Sequence, residues 1–193
     1  MYHFFAYISR MRYIARWGLM RNTIPENIQE HSHMVAVLAH ALAVIRRDVI
    51  GCEVNPDSVA TAALFHDAPE ILTGDLPTPI KYYNPEISSA YHAVEAVSAA
   101  KLLSLLPDSL RPAYEPLLTE EDPEIHALVK AADKLAAYIK CLEELKAGNT
   151  EFRQASQQIK ATLESSPLPE VAYFMQHFMP GFELSLDELN EAH

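Results

Sequence analysis

The chain has 193 residues, a net charge of −11 and a hydrophobic content of 49%. Its length fits a single domain spanning residues 1–193, and its negative charge argues against binding of nucleic-acid polymers, which depends on neutralising phosphates. Charges and prolines interrupt the apolar runs, so we expect no membrane span, and the N-terminus lacks the basic-then-apolar order of a signal peptide. Cys52 and Cys141 suggest no disulfide framework, so we expect a cytoplasmic protein.

Charge is unevenly distributed along the chain. Residues 1–47 carry six arginines and only two acidic residues, Glu26 and Glu30, which is a local balance of +4. The remaining residues carry nine basic and 24 acidic groups, a balance of −15. The basic region suits a small anionic substrate, although the same arginines would also serve simply to solvate a helix face.

The first part of the chain predicts two helices, near residues 3–16 and 28–47. On the second helix, His31 shares the inward face with Val35 and Leu38. His33 and His40 lie about 200° and 180° away from His31 around the helix axis. We therefore predict that these two histidines lie at the surface or behind the site, and that His31 is the functional one.

A third helix, near residues 57–68, ends in the pair His66-Asp67. The two side chains diverge by about 100°, so both reach one ion only if they lie near the end of the helix. Pro69 favours that geometry because it disfavours helical conformation at the preceding residue. Glu70 follows His66 by four positions, which would place it beside a metal as an acid or base.

The stretch from Gly74 to Asn84 contains two prolines and is predicted to be a loop without helix. A later helix, near residues 123–147, carries Asp133 within an apolar stretch. A carboxylate in such surroundings needs a partner. That partner is either a metal ion or one of the neighbouring lysines, Lys130 and Lys134.

Further helices are predicted near residues 86–105, 151–164 and 168–178, with a capping box at Ser185 to Glu188 opening a short final helix. Gly148 provides a left-handed stop for the helix near 123–147. Three helix starts share an Asn or Asp cap, a proline in the first turn and a carboxylate after it. They are Asn55-Pro56-Asp57, Asn84-Pro85-Glu86 and Asp122-Pro123-Glu124. The sequence therefore predicts an all-α fold.

Two imidazoles and two carboxylates, from His31, His66, Asp67 and Asp133, form a candidate ligand set. Such a set suits a divalent ion such as Mn, Co, Fe, Zn or Mg with positions left open for water. With Glu70 beside it, the set predicts a metal-dependent hydrolase. The remaining histidines show no ligand spacing and are expected to be structural or solvated: His3, His92, His126, His177 and His193.

The order His31, His66-Asp67, Asp133 resembles the metal motif of the HD-domain phosphohydrolase superfamily. Within that superfamily, the chain closely resembles the bacterial HD-domain 5′-deoxynucleotidases over nearly its whole length. The blocks that carry this resemblance are Arg16-Trp17, Leu19-Met20-Arg21-Asn22, Glu30-His31-Ser32, His66-Asp67-Ala68-Pro69-Glu70, Thr73-Gly74-Asp75-Leu76-Pro77-Thr78-Pro79 and Tyr138-Ile139-Lys140-Cys141-Leu142-Glu143-Glu144-Leu145.

The resemblance implies a compact multi-helix HD-domain bundle, usually a homodimer, that hydrolyses deoxyribonucleoside 5′-monophosphates. It also implies one divalent metal ion, with cobalt, manganese or another first-row transition metal as candidates. His31, His66, Asp67 and Asp133 would bind the ion, and Glu70 would carry proton transfer. The nucleotide would be held by Arg16, Trp17, Asp75, Leu76, Pro77 and Thr78. Trp17 and its neighbour would discriminate against a 2′-hydroxyl.

Other interpretations of these residues remain open. Trp17 could simply anchor the core, and the loop from Asp75 to Thr78 could be a rigid proline turn. The chain could also be another HD phosphohydrolase, acting on a cyclic nucleotide, a triphosphate or an alarmone. A nucleotide-binding regulatory module on the same scaffold is a further alternative, although such a module would not need Glu70 beside the metal.

Overall fold

Helices form almost all of the regular structure in the computed structural model, which describes residues 1–81, 83–119 and 122–191, without the side chain of Thr78. One isolated antiparallel bridge joins Ala15 to Asn27, and the described residues form no β-strand. The predicted all-α fold is therefore confirmed. The α-helices are α1 Phe4–Ile8, α2 Ile28–Ile45, α3 Pro56–Phe65, α4 Glu70–Thr73, α5 Thr78–Lys81, α6 Pro85–Leu103, α7 Arg111–Thr119, α8 Pro123–Lys146, α9 Arg153–Glu164, α10 Pro169–His177 and α11 Leu186–Glu191.

The predicted helix caps are present. The side chains of Asn55, Asn84 and Asp122 accept hydrogen bonds from first-turn N–H groups of α3, α6 and α8. Caps of this kind each stabilise a helix by about 1 kcal/mol. Before α11, the Ser185 N–H donates to Glu188 and the Glu188 N–H donates back to the serine hydroxyl, which is the expected capping box.

Two helices end earlier than the sequence predicts. The first, expected over 3–16, consists of α1 and a 3₁₀ segment, Ser9–Tyr13. It stops there because Ile14 is extended and its carbonyl accepts a hydrogen bond from the Ile28 N–H. The third helix ends at Phe65, and His66 is its C-cap residue, which agrees with the expected position of His66-Asp67 at a helix end.

Three short helices, α4, α5 and α7, are missed by the sequence reasoning. The prediction that Gly74 to Asn84 lacks helix is wrong for α5, although Tyr82 of that stretch lies outside the described residues. A proline is tolerated in the first turn of α5 because N–H groups there have no partner within the helix. Helix α7 contains Pro116, and a proline at an interior position disfavours helix when only the sequence is considered. The helix nevertheless forms, and it buries Leu118 in the core.

The core has two clusters of buried side chains. In the larger one, α2, α3 and α8 pack against one another through fully buried residues such as Val35, Val59 and Leu135. Burial of such a side chain stabilises the fold by about 1.5–3 kcal/mol. The smaller cluster includes Phe4 and Leu102 and joins α1 to α6 and α7. Among the described helices, none combines the length and apolar character needed to cross a lipid bilayer.

A buried ion pair on α8 holds the loop that follows Trp17. The carboxylate of Glu144 is fully buried and accepts hydrogen bonds from Lys140, from Asn149 and from the N–H groups of Thr23 and Ile24. Burial alone would raise the pKa of Glu144, but these hydrogen bonds outweigh it and hold the pKa well below its ordinary 4.5. The charged carboxylate is therefore part of the folded structure.

We expect Glu144→Gln to lower the free energy of unfolding at pH 7 by about 3–5 kcal/mol, because Lys140 is left buried without a counter-ion. The difference from wild type should shrink as the pH falls below 4.5, where glutamate in the unfolded chain takes up a proton and the folded carboxylate resists it. Urea unfolding at several pH values measures both effects.

A matched control is Glu164→Gln, because Lys160 and Glu164 form an i,i+4 pair that is exposed, with an N–O distance of 3.7 Å. An exposed pair contributes about 0–1 kcal/mol. Equal stability losses in the two variants would contradict the importance assigned to the buried Glu144.

Candidate metal centre

Three helices bring His31, His66 and Asp133 together. His31 lies in the first turn of α2, His66 caps α3 and Asp133 lies in the middle of α8. One ligand atom from each lies within 4.8 Å of the other two, and His31 Nε2 is 2.9 Å from Asp133 Oδ1. Atoms this close, from residues far apart in the chain, can contact one ion.

The orientation of His66 leaves one ring nitrogen available to a metal. Its Nδ1 lies 2.7 Å from the carbonyl oxygen of Ala63. A carbonyl only accepts, so Nδ1 carries the proton, and in the neutral ring Nε2 presents a lone pair. The buried Nε2 atoms of His66 and His31 face the carboxylates of Asp67 and Asp133, and among the described residues Nδ1 of His31 has no hydrogen-bond partner.

The fourth predicted ligand, Asp67, lies beside the cluster. Its Oδ1 is 3.2 Å from His66 Nε2, and its Oδ2 is 3.6 Å from His31 Nε2 and 3.2 Å from Arg16 Nη1. Burial lowers the pKa of His66, but Asp67 and Asp133 outweigh it and raise that pKa to about 9. The same negative field favours a bound cation. Two buried imidazole rings with their Nε2 atoms next to two carboxylates therefore fit a first-row divalent ion.

Asp133 does not form the lysine salt bridge that was the alternative interpretation. Among the described residues, its carboxylate pairs with His31 and, at 3.9 Å, with Arg16 Nη2. In the described part of the chain, neither Lys130 nor Lys134 forms an ion pair with it. The apolar neighbours on α8 face the core, while Asp133 faces the histidines.

Glu70 is the first residue of α4 and is 7% exposed. Its Oε2 has no hydrogen-bond partner among the described residues. Burial, and then the negative charges of Asp67 and Asp75, raise the pKa of Glu70 to about 9. A carboxyl group whose pKa is raised in this way is suited to donate a proton at neutral pH.

Arg16 reaches the centre from the segment before α2. Its Nη1 contacts Asp67 and its Nε donates to Glu26 Oε2 at 3.2 Å. The same Oε2 accepts a hydrogen bond of 2.9 Å from the indole N–H of Trp17. The sequence reasoning missed Glu26, although it is one of only two acidic residues in the basic segment 1–47.

Trp17 has a left-handed backbone conformation, with φ of 59°. This conformation costs about 1–2 kcal/mol for a residue with a side chain, so the surrounding contacts must hold it. The half-buried indole packs against Phe152, with ring centroids 5.2 Å apart. The interpretation of Trp17 as a simple core anchor accounts for the Phe152 contact but not for the strained backbone.

The predicted substrate loop lies next to the same groups. Asp75 is half-buried, and burial raises the pKa of its carboxyl group, while Arg16 lowers it and Asp67 raises it further. Asp75 therefore lies close to the candidate metal centre formed by His31, His66, Asp67 and Asp133. Leu76 and Pro77 are half-buried, and the side chain of Thr78 lies outside the described part of the chain.

The other histidines lie away from this cluster. His33 and His40 are exposed on the outer face of α2, as predicted. His3, His92 and His177 are exposed, His126 is half-buried, and His193 lies outside the described residues.

The helical arrangement is that of the HD-domain phosphohydrolases. A structure of an HD-domain phosphohydrolase from Listeria innocua superposes with a TM-score of 0.81 at 24% identity, covering 98% of this chain and 92% of that one. The cyanophage S-2L HD phosphohydrolase, solved with dA and one catalytic Zn²⁺ ion, gives a TM-score of 0.60 at 24% identity, covering 97% and 96%. These similarities establish the fold.

Sequence similarity then identifies the family. A 5′-deoxynucleotidase of Vibrio cholerae is 51% identical over 190 residues, covering 97% of this chain and 98% of that protein. The 5′-deoxynucleotidase YfbR of Escherichia coli is 50% identical over 191 residues, covering 98% and 96%. The family model described as 5′-deoxynucleotidase YfbR-like matches residues 3–182. The chain belongs to this YfbR-like 5′-deoxynucleotidase family.

Proposed function

We propose that the protein is a metal-dependent 5′-deoxynucleotidase that hydrolyses deoxyribonucleoside 5′-monophosphates to deoxynucleoside and phosphate. The observation that carries the proposal is the convergence of His31, His66 and Asp133 beside the buried carboxyl group of Glu70. Membership of a family of 5′-deoxynucleotidases supports the same activity.

His31, His66, Asp67 and Asp133 would hold the divalent ion. When bound, such an ion lowers the pKa of a coordinated water and neutralises charge on the phosphoryl group. Ligand atoms of His31, His66 and Asp133 already lie within 4.8 Å of one another, and the contact with Ala63 fixes the ring of His66. The ligands are therefore largely preorganised.

Glu70 would act as the general acid. Hydrolysis breaks the bond between phosphorus and the 5′-oxygen, and the departing oxygen requires a proton. The neutral carboxyl of Glu70 supplies it and becomes a carboxylate. Arg16, whose terminal nitrogens lie beside Asp67 and Asp133, would pair with phosphate oxygens and so hold the reacting group in place.

We further propose that the enzyme selects deoxyribonucleotides over ribonucleotides. The rigidly held indole of Trp17 would close over the sugar edge, so that an added 2′-hydroxyl clashes or goes unpaired. The carboxyl group of Asp75 would accept a hydrogen bond from the 3′-hydroxyl. Leu76, Pro77 and Thr78 would complete the nucleotide site.

Three further properties remain predictions from the resemblance. They are cobalt or manganese as the metal, a homodimeric assembly and a cytoplasmic location. The Zn²⁺ ion in the cyanophage neighbour supports a divalent metal without choosing among these ions.

Phosphate release from a substrate panel tests the proposal. With Mn²⁺ or Co²⁺ added, we expect turnover of dAMP and dTMP, and turnover of AMP that is slower by about tenfold or more, because a misplaced hydroxyl costs about 1.4 kcal/mol or more. Equal rates on AMP and dAMP would contradict the selectivity.

Adding a cyclic nucleotide, a triphosphate and an alarmone to the panel, with the products separated by chromatography, distinguishes the alternatives. Preferred turnover of a cyclic nucleotide, a triphosphate or an alarmone would identify another HD phosphohydrolase. Tight nucleotide binding without phosphate release with any divalent ion would identify a regulatory module.

A further inference from the structure

One carboxylate oxygen joins the two residues expected to contact the nucleotide. Glu26 Oε2 accepts from Arg16 Nε at 3.2 Å and from Trp17 Nε1 at 2.9 Å. Within the described ranges, neither nitrogen has another hydrogen-bond acceptor. The Glu26 side chain is 18% exposed, so water competes weakly for these bonds.

The backbone places Glu26 independently of its side chain. The N–H of Arg16 donates to the carbonyl of Glu26 at 2.9 Å, and the N–H of Ile28 donates to the carbonyl of Ile14 at 3.0 Å. These two bonds close the loop of residues 17–25 before any side chain is considered. A substitution at position 26 therefore leaves the loop closure intact.

The Glu26 contact sets which nitrogens of Arg16 face the metal cluster. With Nε held by Glu26, Nη1 lies 3.2 Å from Asp67 Oδ2 and Nη2 lies 3.9 Å from Asp133 Oδ1. The guanidinium is planar, so fixing Nε on one side orients both terminal nitrogens on the other.

The same oxygen restrains Trp17. A bulky residue at a φ of 59° persists only where its surroundings hold it. Met20 N–H and Asn22 Nδ2 donate to the backbone carbonyl of Trp17, whereas the contacts recorded for the indole among the described residues are the Glu26 hydrogen bond and the tilted packing on Phe152. Loss of the hydrogen bond would leave the ring held on one face only.

We infer that Glu26 is a positioning residue, which fixes Arg16 for phosphate and Trp17 for the sugar edge as one unit. The inference rests on the proposed function for its effect on catalysis. It predicts that phosphate binding and sugar discrimination fail together when the Glu26 oxygen is removed.

Fluorescence tests the physical part of the inference without substrate. Trp17 is the only tryptophan of the chain, so intrinsic emission reports on it alone. We expect Glu26→Ala to shift the emission and to raise acrylamide quenching, and Glu26→Gln to restore both, because one amide oxygen can accept from both donors. Unchanged quenching in a folded Glu26→Ala protein would overturn the inference.

Activity tests the functional part. For Glu26→Ala we expect a kcat/KM for dAMP that is about 10- to 100-fold lower, mainly because KM is higher. The reason is that a hydrogen bond to a charged group is lost. The ratio of dAMP to AMP turnover should fall in the same variant, and Glu26→Gln should recover most of both. A lower kcat/KM with an unchanged dAMP to AMP ratio would overturn the joint positioning of Arg16 and Trp17.

A matched control and a melting curve exclude a general loss of structure. Glu124→Ala removes another carboxylate that pairs with an arginine, Arg46, and should leave Trp17 emission and the substrate ratio unchanged. Matching changes in both variants would overturn the inference. Failure of the wild-type enzyme to hydrolyse any deoxynucleotide would instead refute the proposed function, while the fluorescence result would still decide whether Glu26 holds Trp17.

Discussion

Glu70→Gln should lower kcat for dAMP by about 10²–10⁴-fold, because the departing 5′-oxygen loses its proton donor. The substitution is nearly isosteric, and Oε2 has no hydrogen-bond partner to lose among the described residues. Folding and metal content should therefore stay at wild-type values. Steady-state phosphate release, a melting curve and metal analysis of the purified protein measure these three properties.

Glu70 has two possible chemical roles, to donate a proton to the departing oxygen or to orient the attacking water. The choice of leaving group distinguishes between them. An aryl phosphate such as p-nitrophenyl phosphate departs without needing a proton, so the loss in Glu70→Gln should be much smaller for it than for dAMP. An equal loss on both substrates would instead favour orientation of the attacking water. Glu86→Gln, an exposed carboxylate in the first turn of α6, serves as control. Full activity of Glu70→Gln on dAMP would contradict the assignment.

His31→Ala should abolish tight metal binding and lower kcat/KM by at least about 10³-fold, because a bound ion contributes several kcal/mol to the transition state. The wild-type protein should gain about 2.7 kcal/mol of stability when Mn²⁺ or Co²⁺ is present at 100 times its dissociation constant. His31→Ala should show no such gain. Thermal unfolding with and without metal measures this difference directly, without any substrate.

His33→Ala is the matched control, since it removes a histidine two positions away that is exposed on the outer face of α2. It should keep both the metal-dependent stabilisation and the activity. Wild-type metal stabilisation in His31→Ala would contradict the proposed ligand set. Loss of metal binding in His33→Ala would mean that the face assignment on α2 is wrong.

Most of the helical framework was predictable because its signals are local. Asn55, Asn84 and Asp122 cap their helices through contacts that span only two or three residues. Such contacts depend on sequence and backbone geometry alone. Helix α7 is an exception, because it forms despite Pro116. Burial of Leu118 in the core stabilises it. Tertiary packing there overrides the local preference against helix.

The sequence was sufficient to select the residues of the candidate metal centre, but it did not show which groups each of them contacts. The sequence left a neighbouring lysine as an alternative partner for Asp133, and the structure pairs it with His31 on a different helix. The burial that raises the pKa of Glu70 also depends on the packing of α4 against α6. The first property arises only when α2 and α8 pack together, and the second only when α4 packs on α6.

The amino-acid order was sufficient to predict an all-α fold, to select His31 over its neighbours on α2 and to put His66 and Asp67 at a helix end. Periodicity, caps and prolines act over a few residues, so they can be read without a structure. Only the packed molecule decided that Glu26 joins Arg16 to Trp17 and that Trp17 adopts a left-handed backbone. Both features depend on contacts between separate segments, which no local pattern specifies.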